Sequence, residues 1–213
     1  MNSPTAKSVI ALLLASAATI PLTPTDADAS IVSVSGQTTL LGSPPADCTL
    51  GQLAGFNAFA WDEQQNVSVS SGIFFDMVNN PATNATAIPG VLAGTFDSHF
   101  LHWEAIPGVV GAAGTVTFSG QILGVEFIHT DLDITDPILG SFGTTYPTGF
   151  PFRDITFSNS SFSINNNVLS YNFFISPVQG VVEVRVVTGV PAPGVASVAG
   201  LMGLAAVRRR RRA

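Results

Sequence analysis

Lysine is almost missing from this chain of 213 residues: Lys7 is the only one, and arginine supplies the rest of the positive charge. Between Ser30 and Gly189 twelve carboxylates face only Arg153 and Arg185, a net charge of −10 that the whole-chain value of −6 conceals. Such a field repels a phosphate backbone, which excludes nucleic acid as a partner and makes cations the natural counter-ions. Cysteine is equally scarce. Cys48 stands alone, which excludes an internal disulfide and a zinc site built from cysteines in the plural, and it reads as an inert or partly buried thiol. The chain has three histidines and no Gly-x-Ser-x-Gly elbow, so nothing in the spacing selects a hydrolytic site. Leucine- and lysine-rich amphipathic stretches are also missing, which argues against a helical body.

What is present is β-forming sequence. Gly, Ser, Thr, Asn, Val, Ile and Phe dominate residues 30 to 189, and turn residues recur about every ten positions. Val182, Val184 and Val186 face one way and Glu183 and Arg185 the other, where the two charges are expected to pair. Leu169, Tyr171, Phe173 and Ile175 make a second apolar face, and Asn165-Asn166-Asn167 reads as a hairpin loop. Further strands are expected over Ile31 to Leu41, Phe56 to Trp61, Val67 to Ser70, Ile73 to Val78, Ser98 to Glu104 and Gln121 to His129. About ten short strands predict an all-β, two-sheet antiparallel β-sandwich of jelly-roll type.

The two ends carry different signals. Residues 1–29 have a lysine-bearing start, an apolar core from Val9 to Pro21 and a polar end at Ala27-Asp28-Ala29, the pattern of a secretory signal helix cleaved between Ala29 and Ser30. Residues 190–213 form a three-part tail. Val190, Pro191, Ala192, Pro193 and Gly194 are stiff and extended, Gly194 to Val207 runs without a charge, and Arg208, Arg209, Arg210, Arg211 and Arg212 follow. Arginines beside a span resist translocation, which places the body outside. Fourteen residues make a transmembrane helix of roughly 21 Å against about 30 Å of hydrocarbon, short enough for a transient anchor.

This tail resembles the PEP-CTERM sorting signal, in a Val-Pro-Ala-Pro-Gly form with Ala192 where family members usually carry glutamate. The resemblance implies recognition by an exosortase-type membrane protease and delivery to the cell surface or beyond. The body is similar to uncharacterised PEP-CTERM domain proteins through Trp61-Asp62-Glu63-Gln64-Gln65-Asn66-Val67, Asp97-Ser98-His99-Phe100, Gly114-Thr115-Val116-Thr117-Phe118, Ile122-Leu123-Gly124-Val125, Asp131-Leu132-Asp133, Leu139-Gly140 and Arg185-Val186-Val187. That similarity implies no activity.

Two groups of residues invite chemistry. Asp131, Asp133 and Asp136, expected on a loop before Pro137, have the oxygen donors of a calcium site but lack the glycine and distal glutamate of an EF-hand. Asp97, His99, His102 and Glu104 are the other group. On a strand His99 points away from His102 and Glu104, so a transition-metal site would need ligands from elsewhere. The reading is of an exported, non-enzymatic surface or matrix protein, in contact with extracellular polysaccharide or neighbouring proteins. The alternative is a calcium-assisted carbohydrate-binding module that stacks sugars on Trp61, Trp103, Tyr146 or Tyr171, with Tyr146 on an exposed loop. A polysaccharide hydrolase is held in reserve.

Overall fold

The computed structural model describes residues 30–156, 159–175 and 180–190. The signal segment 1–29 and the tail from Pro191 to Ala213 lie outside the described residues. Among those described, no helix is long and apolar enough to cross a membrane.

Among the described residues, twelve strands and one α-helix follow in chain order: β1 Ile31–Gly36, β2 Thr38–Leu40, β3 Ala54–Gly55, β4 Ala58–Asp62, β5 Val67–Phe75, β6 Ala82–Thr83, β7 Gly90–Ala105, β8 Gly111–Phe118, β9 Ile122–Glu126, α1 His129–Leu139, β10 Ser161–Asn165, β11 Val168–Phe174 and β12 Val181–Gly189. They form two sheets. The first runs β1-β8-β11-β10-β6, and the second β2-β4-β7-β12-β9, with β3 and β5 also joined to β7. Strand β7 is the spine of the second sheet: Phe96 pairs with Val67 of β5 on one side and Gly189 of β12 on the other.

Two β periods explain the packing. Leu101, Trp103, Val182, Val184 and Val186 point into the core between the sheets, where they meet Val116, Phe118, Leu169 and Phe173 of the first sheet. The alternate residues, Phe100, His102, Glu183 and Arg185, must then face away from that core. They are buried all the same, because α1 and the loops at residues 41–53 and 141–156 cover them. The molecule therefore has a third layer, which the alternation of β12 does not announce.

Three expectations are corrected. The sheets are not purely antiparallel, since β2 pairs with β4, and β3 with β7, in parallel. Glu183 and Arg185 share a face but do not pair with each other; each meets a partner from another element. Residues 129–139 form a helix where a loop was expected, with Pro137 inside it. The helix forms because Leu132, Thr135, Asp136 and Leu139 recur at i, i+3, i+4 and i+7 and are buried together. Burial of Leu132 alone stabilises this cover by about 1.5–3 kcal/mol. Gly140 ends the helix, and any Cβ there would lie 2.8 Å from the Tyr146 ring. The Asn-rich hairpin is as expected: Asn165 pairs with Val168, and Asn166 takes φ 55° in the two-residue turn.

Candidate functional site

The buried space between the second sheet and its cover holds both cations of the body. Arg185 rises from β12 with none of its side chain exposed. Its Nε donates to Glu63 Oε2 at 2.8 Å and its Nη2 to Glu63 Oε1 at 3.0 Å, a forked pair. Nη2 also donates to Asp136 Oδ1 at 3.0 Å and Nη1 to Thr135 Oγ1 at 2.7 Å, which ties β12 to the helix. The guanidinium carbon lies 5.0 Å from the Phe100 ring centre and 5.4 Å from that of Tyr146, within the range of cation–π attraction. Tyr146 donates its hydroxyl to Glu63 Oε1 at 2.6 Å and accepts the Ser141 N–H at 2.8 Å.

Arg153, equally buried, enters from the loop after the helix. Its Nη1 reaches Asp133 Oδ1 and Asp136 Oδ2, both at 2.7 Å, and its Nε reaches Glu183 Oε2 at 2.5 Å. Two backbone contacts fix the cover further: the Glu183 N–H donates to Arg153 O at 2.9 Å, and the Cys48 N–H to Thr145 O at 2.9 Å. Both loops are thus stitched to the sheet or to each other.

The electrostatics follow from that geometry. Burial works to lower the Arg185 and Arg153 pKa values, but the surrounding carboxylates, led by Glu63 for Arg185 and by Glu183 for Arg153, outweigh it and keep both charged. Burial likewise works to raise Asp136, yet hydrogen bonding to Arg153 and the charge of Arg185 hold it below its ordinary value. Glu126 goes the other way. Burial pushes it up to about 8 against the pull of Arg185, which lies 3.8 Å from it, and Thr135 donates a hydrogen bond to its Oε2. At the helix N-terminus Asp76 Oδ2 accepts the Phe127 and Ile128 amides at 2.7 and 2.9 Å. Burial still lifts Asp76 to about 7, and the Asp131 carboxyl beside it pushes the same way.

The three aspartates expected to share a calcium ion therefore do not converge. Asp133 and Asp136 come together, but the cation between them is the guanidinium of Arg153. Asp131 sits with Asp76 on another side of the helix. The strand group also divides. His99 turns toward the first sheet, bonds Asp62 at 2.7 Å and Thr188 at 2.9 Å, and packs on Phe118. Asp97 accepts the Asn66 N–H, and Glu104 accepts the Gly51 N–H. His102 pairs with Glu183, Nδ1 to Oε1 at 2.9 Å, and not with Glu104. Tyr146, expected on an exposed loop, is half-buried in the ionic layer, and Trp61 and Trp103 are fully buried.

Sequence reasoning missed Arg153 as the centre of the cluster, and Cys48 as its neighbour. The available signal was scarcity itself: in a body with two bases among twelve acids, each guanidinium has its choice of partners, and buried charges are retained when paired. Compared with known proteins, the chain matches no family model, no curated protein and no solved structure.

Proposed function

We propose that this is an exported protein, sorted through Val190 to Arg212 by an exosortase-type membrane protease after transient anchoring, whose jelly-roll-like domain has a structural or interaction role at the cell surface or in the extracellular matrix. The observation that carries the non-enzymatic part is the closed ionic layer. The guanidiniums and the carboxylates they meet hold one another and fasten a cover onto the second sheet, so this polar chemistry is spent on architecture. The acidic body, with its scarcity of cations, suits a soluble or matrix-facing surface. Mass spectrometry of the mature protein tests the route. The expected product begins near Ser30 and lacks Arg208 to Arg212; recovery of the intact C-terminus at the outer surface would remove the sorting step.

One observation favours carbohydrate binding as a second reading. An open groove on the first sheet is lined by Thr83, Asn84, Ser161, Ser163, Ser170 and Asn172, the hydroxyls and amides that sugar hydroxyls pair with. Tyr171 borders the groove but is buried, its hydroxyl held by Thr38 and Gln37, so a sugar would meet polar groups rather than an aromatic platform. A glycan array probed with and without calcium separates the readings: binding lost in Asn172→Ala supports the groove, and silence across the array leaves the structural role.

A further inference from the structure

At the end of the ionic layer, beyond Arg153, three side chains of different chemistry meet. Cys48, His102 and Glu183 each place a potential ligand atom within 4.8 Å of the other two, and all three are buried. They come from separate parts of the chain: the loop after β2, the spine strand β7 and strand β12. Glu183 and His102 are directly opposed in the β12–β7 ladder, so their side chains share a face by register, and the 41–53 loop lays Cys48 over them.

We propose that Cys48, His102 and Glu183 form a binding site for a divalent transition metal of the zinc class. Thiolate, imidazole and carboxylate are the donor set such ions take, whereas calcium and magnesium want oxygen alone. The ring nitrogen that faces Glu183 is Nδ1, 2.9 Å from Oε1; an ion would take the place of the proton between them, with the ring proton carried on Nε2, and the Cys48 sulfur lies within 4.8 Å to complete the set. Charge points the same way. Among the described residues, Glu63, Asp133, Asp136 and Glu183 meet two permanent cations, Arg153 and Arg185, so the layer carries excess negative charge. Arg153, bonded to Glu183 Oε2, acts as the outer partner that fixes this carboxylate, as such groups do around metal ligands. The Cys48 thiol now donates to Thr145 O at 3.4 Å. On binding, the sulfur–hydrogen bond breaks, a sulfur–metal bond forms from the same electron pair, and the proton leaves to solvent.

The full chain, purified under reducing conditions and stripped with chelator, is titrated with Co²⁺ alone and then with Zn²⁺ alone. The expected result is one cobalt per chain with a thiolate-to-cobalt charge-transfer band, displaced by one equivalent of zinc, which binds more tightly. Because Cys48 is the single cysteine, that band reports this site without any variant. Cys48→Ser removes the band. His102→Gln, checked for an unchanged circular dichroism spectrum, weakens cobalt binding beyond the ~10–100-fold that loss of an outer partner costs. No binding, binding without the band, or a folded His102→Gln that binds as tightly as the wild type would each overturn the site.

Discussion

The two faces of the second sheet are made of alternate residues on the same strands, yet different forces hold them. Toward the first sheet, Leu101, Trp103, Val182 and Val184 meet other apolar side chains, and this contact is indifferent to pH. Toward the helix, Phe100, His102, Glu183 and Arg185 meet charges, and every strong contact there needs a partner of stated sign and geometry. An apolar face tolerates repacking, whereas a charged one fails when a single member is lost. The chain concentrates its vulnerability on the helix side.

Removing Arg185 should break this comparison most sharply. Arg185→Ala leaves Glu63 buried without its counter-charge and Asp136 with Arg153 alone, with an expected cost of about 3–5 kcal/mol, or a fall of roughly 10 °C in melting temperature for a domain this size. Arg185→Lys should recover little, since an ammonium cannot fork onto Glu63. Leu101→Ala on the opposite face should cost about 2–5 kcal/mol. The two are told apart by acid. The Arg185→Ala loss should shrink as pH falls and the stranded carboxylates protonate, and the Leu101→Ala loss should not; parallel melts at two pH values decide it.

A smaller effect follows from the raised carboxyls. Burial lifts Glu126 to about 8 and Asp76 to about 7, so the folded chain keeps these protons after the unfolded chain has released them. Stability is then fully present below the ordinary carboxylate range and falls as pH rises through about 7 to 8. Asp136, held low by the two arginines, works in the opposite sense: its contribution is present above its ordinary value and lost as acid protonates it. Melting temperature should therefore peak on the acid side of neutral and decline toward alkaline pH, and Glu126→Gln should flatten the decline. A variant that melts with the wild-type profile would remove Glu126 as the cause.

The smallest effect concerns Asp133, whose side chain is 22 % exposed. Asp133→Asn takes one of several partners from Arg153 and should cost about 1 kcal/mol. Calcium should leave the melting temperature unchanged, because Arg153 already stands between Asp133 and Asp136. A gain of several degrees with calcium, lost in Asp133→Asn, would contradict that assignment.

Much of the apolar face was legible in the sequence. The valine alternation of β12 and the Asn166 turn are local signals, and local signals survive without tertiary context. The helix was harder to see: Pro137 and the β-branched Thr130, Ile134 and Thr135 argue against it, and Ile128 at its start offers no capping side chain. Leu132 and Leu139, seven apart, were the helical trace, hidden among carboxylates that read as solvated. The scarcity of cations announced that both arginines would be paired, but the partners in the ionic layer could not be read, because most of its bonds join residues far apart in the chain. Glu63 and Arg185 are 122 positions apart, Thr135 and Arg185 50. Of the three aspartates expected to share calcium, Asp133 and Asp136 meet the Arg153 side chain instead, and Asp131 lies beside Asp76.

Strand β12 is the last described strand and lies between β7 and β9 in the second sheet. Order of synthesis gives that placement a kinetic meaning. Until Val181–Gly189 has been made, β7 and β9 have no common neighbour, and Glu63 lacks its counter-charge. A nascent chain stalled before that point carries two open strand edges, which are templates for wrong pairing. Long-range closure of this kind is slow. For a protein that crosses a membrane before folding, the route proposed for this one, a centre supplied last has a use: the domain stays threadable until the strand that locks it arrives.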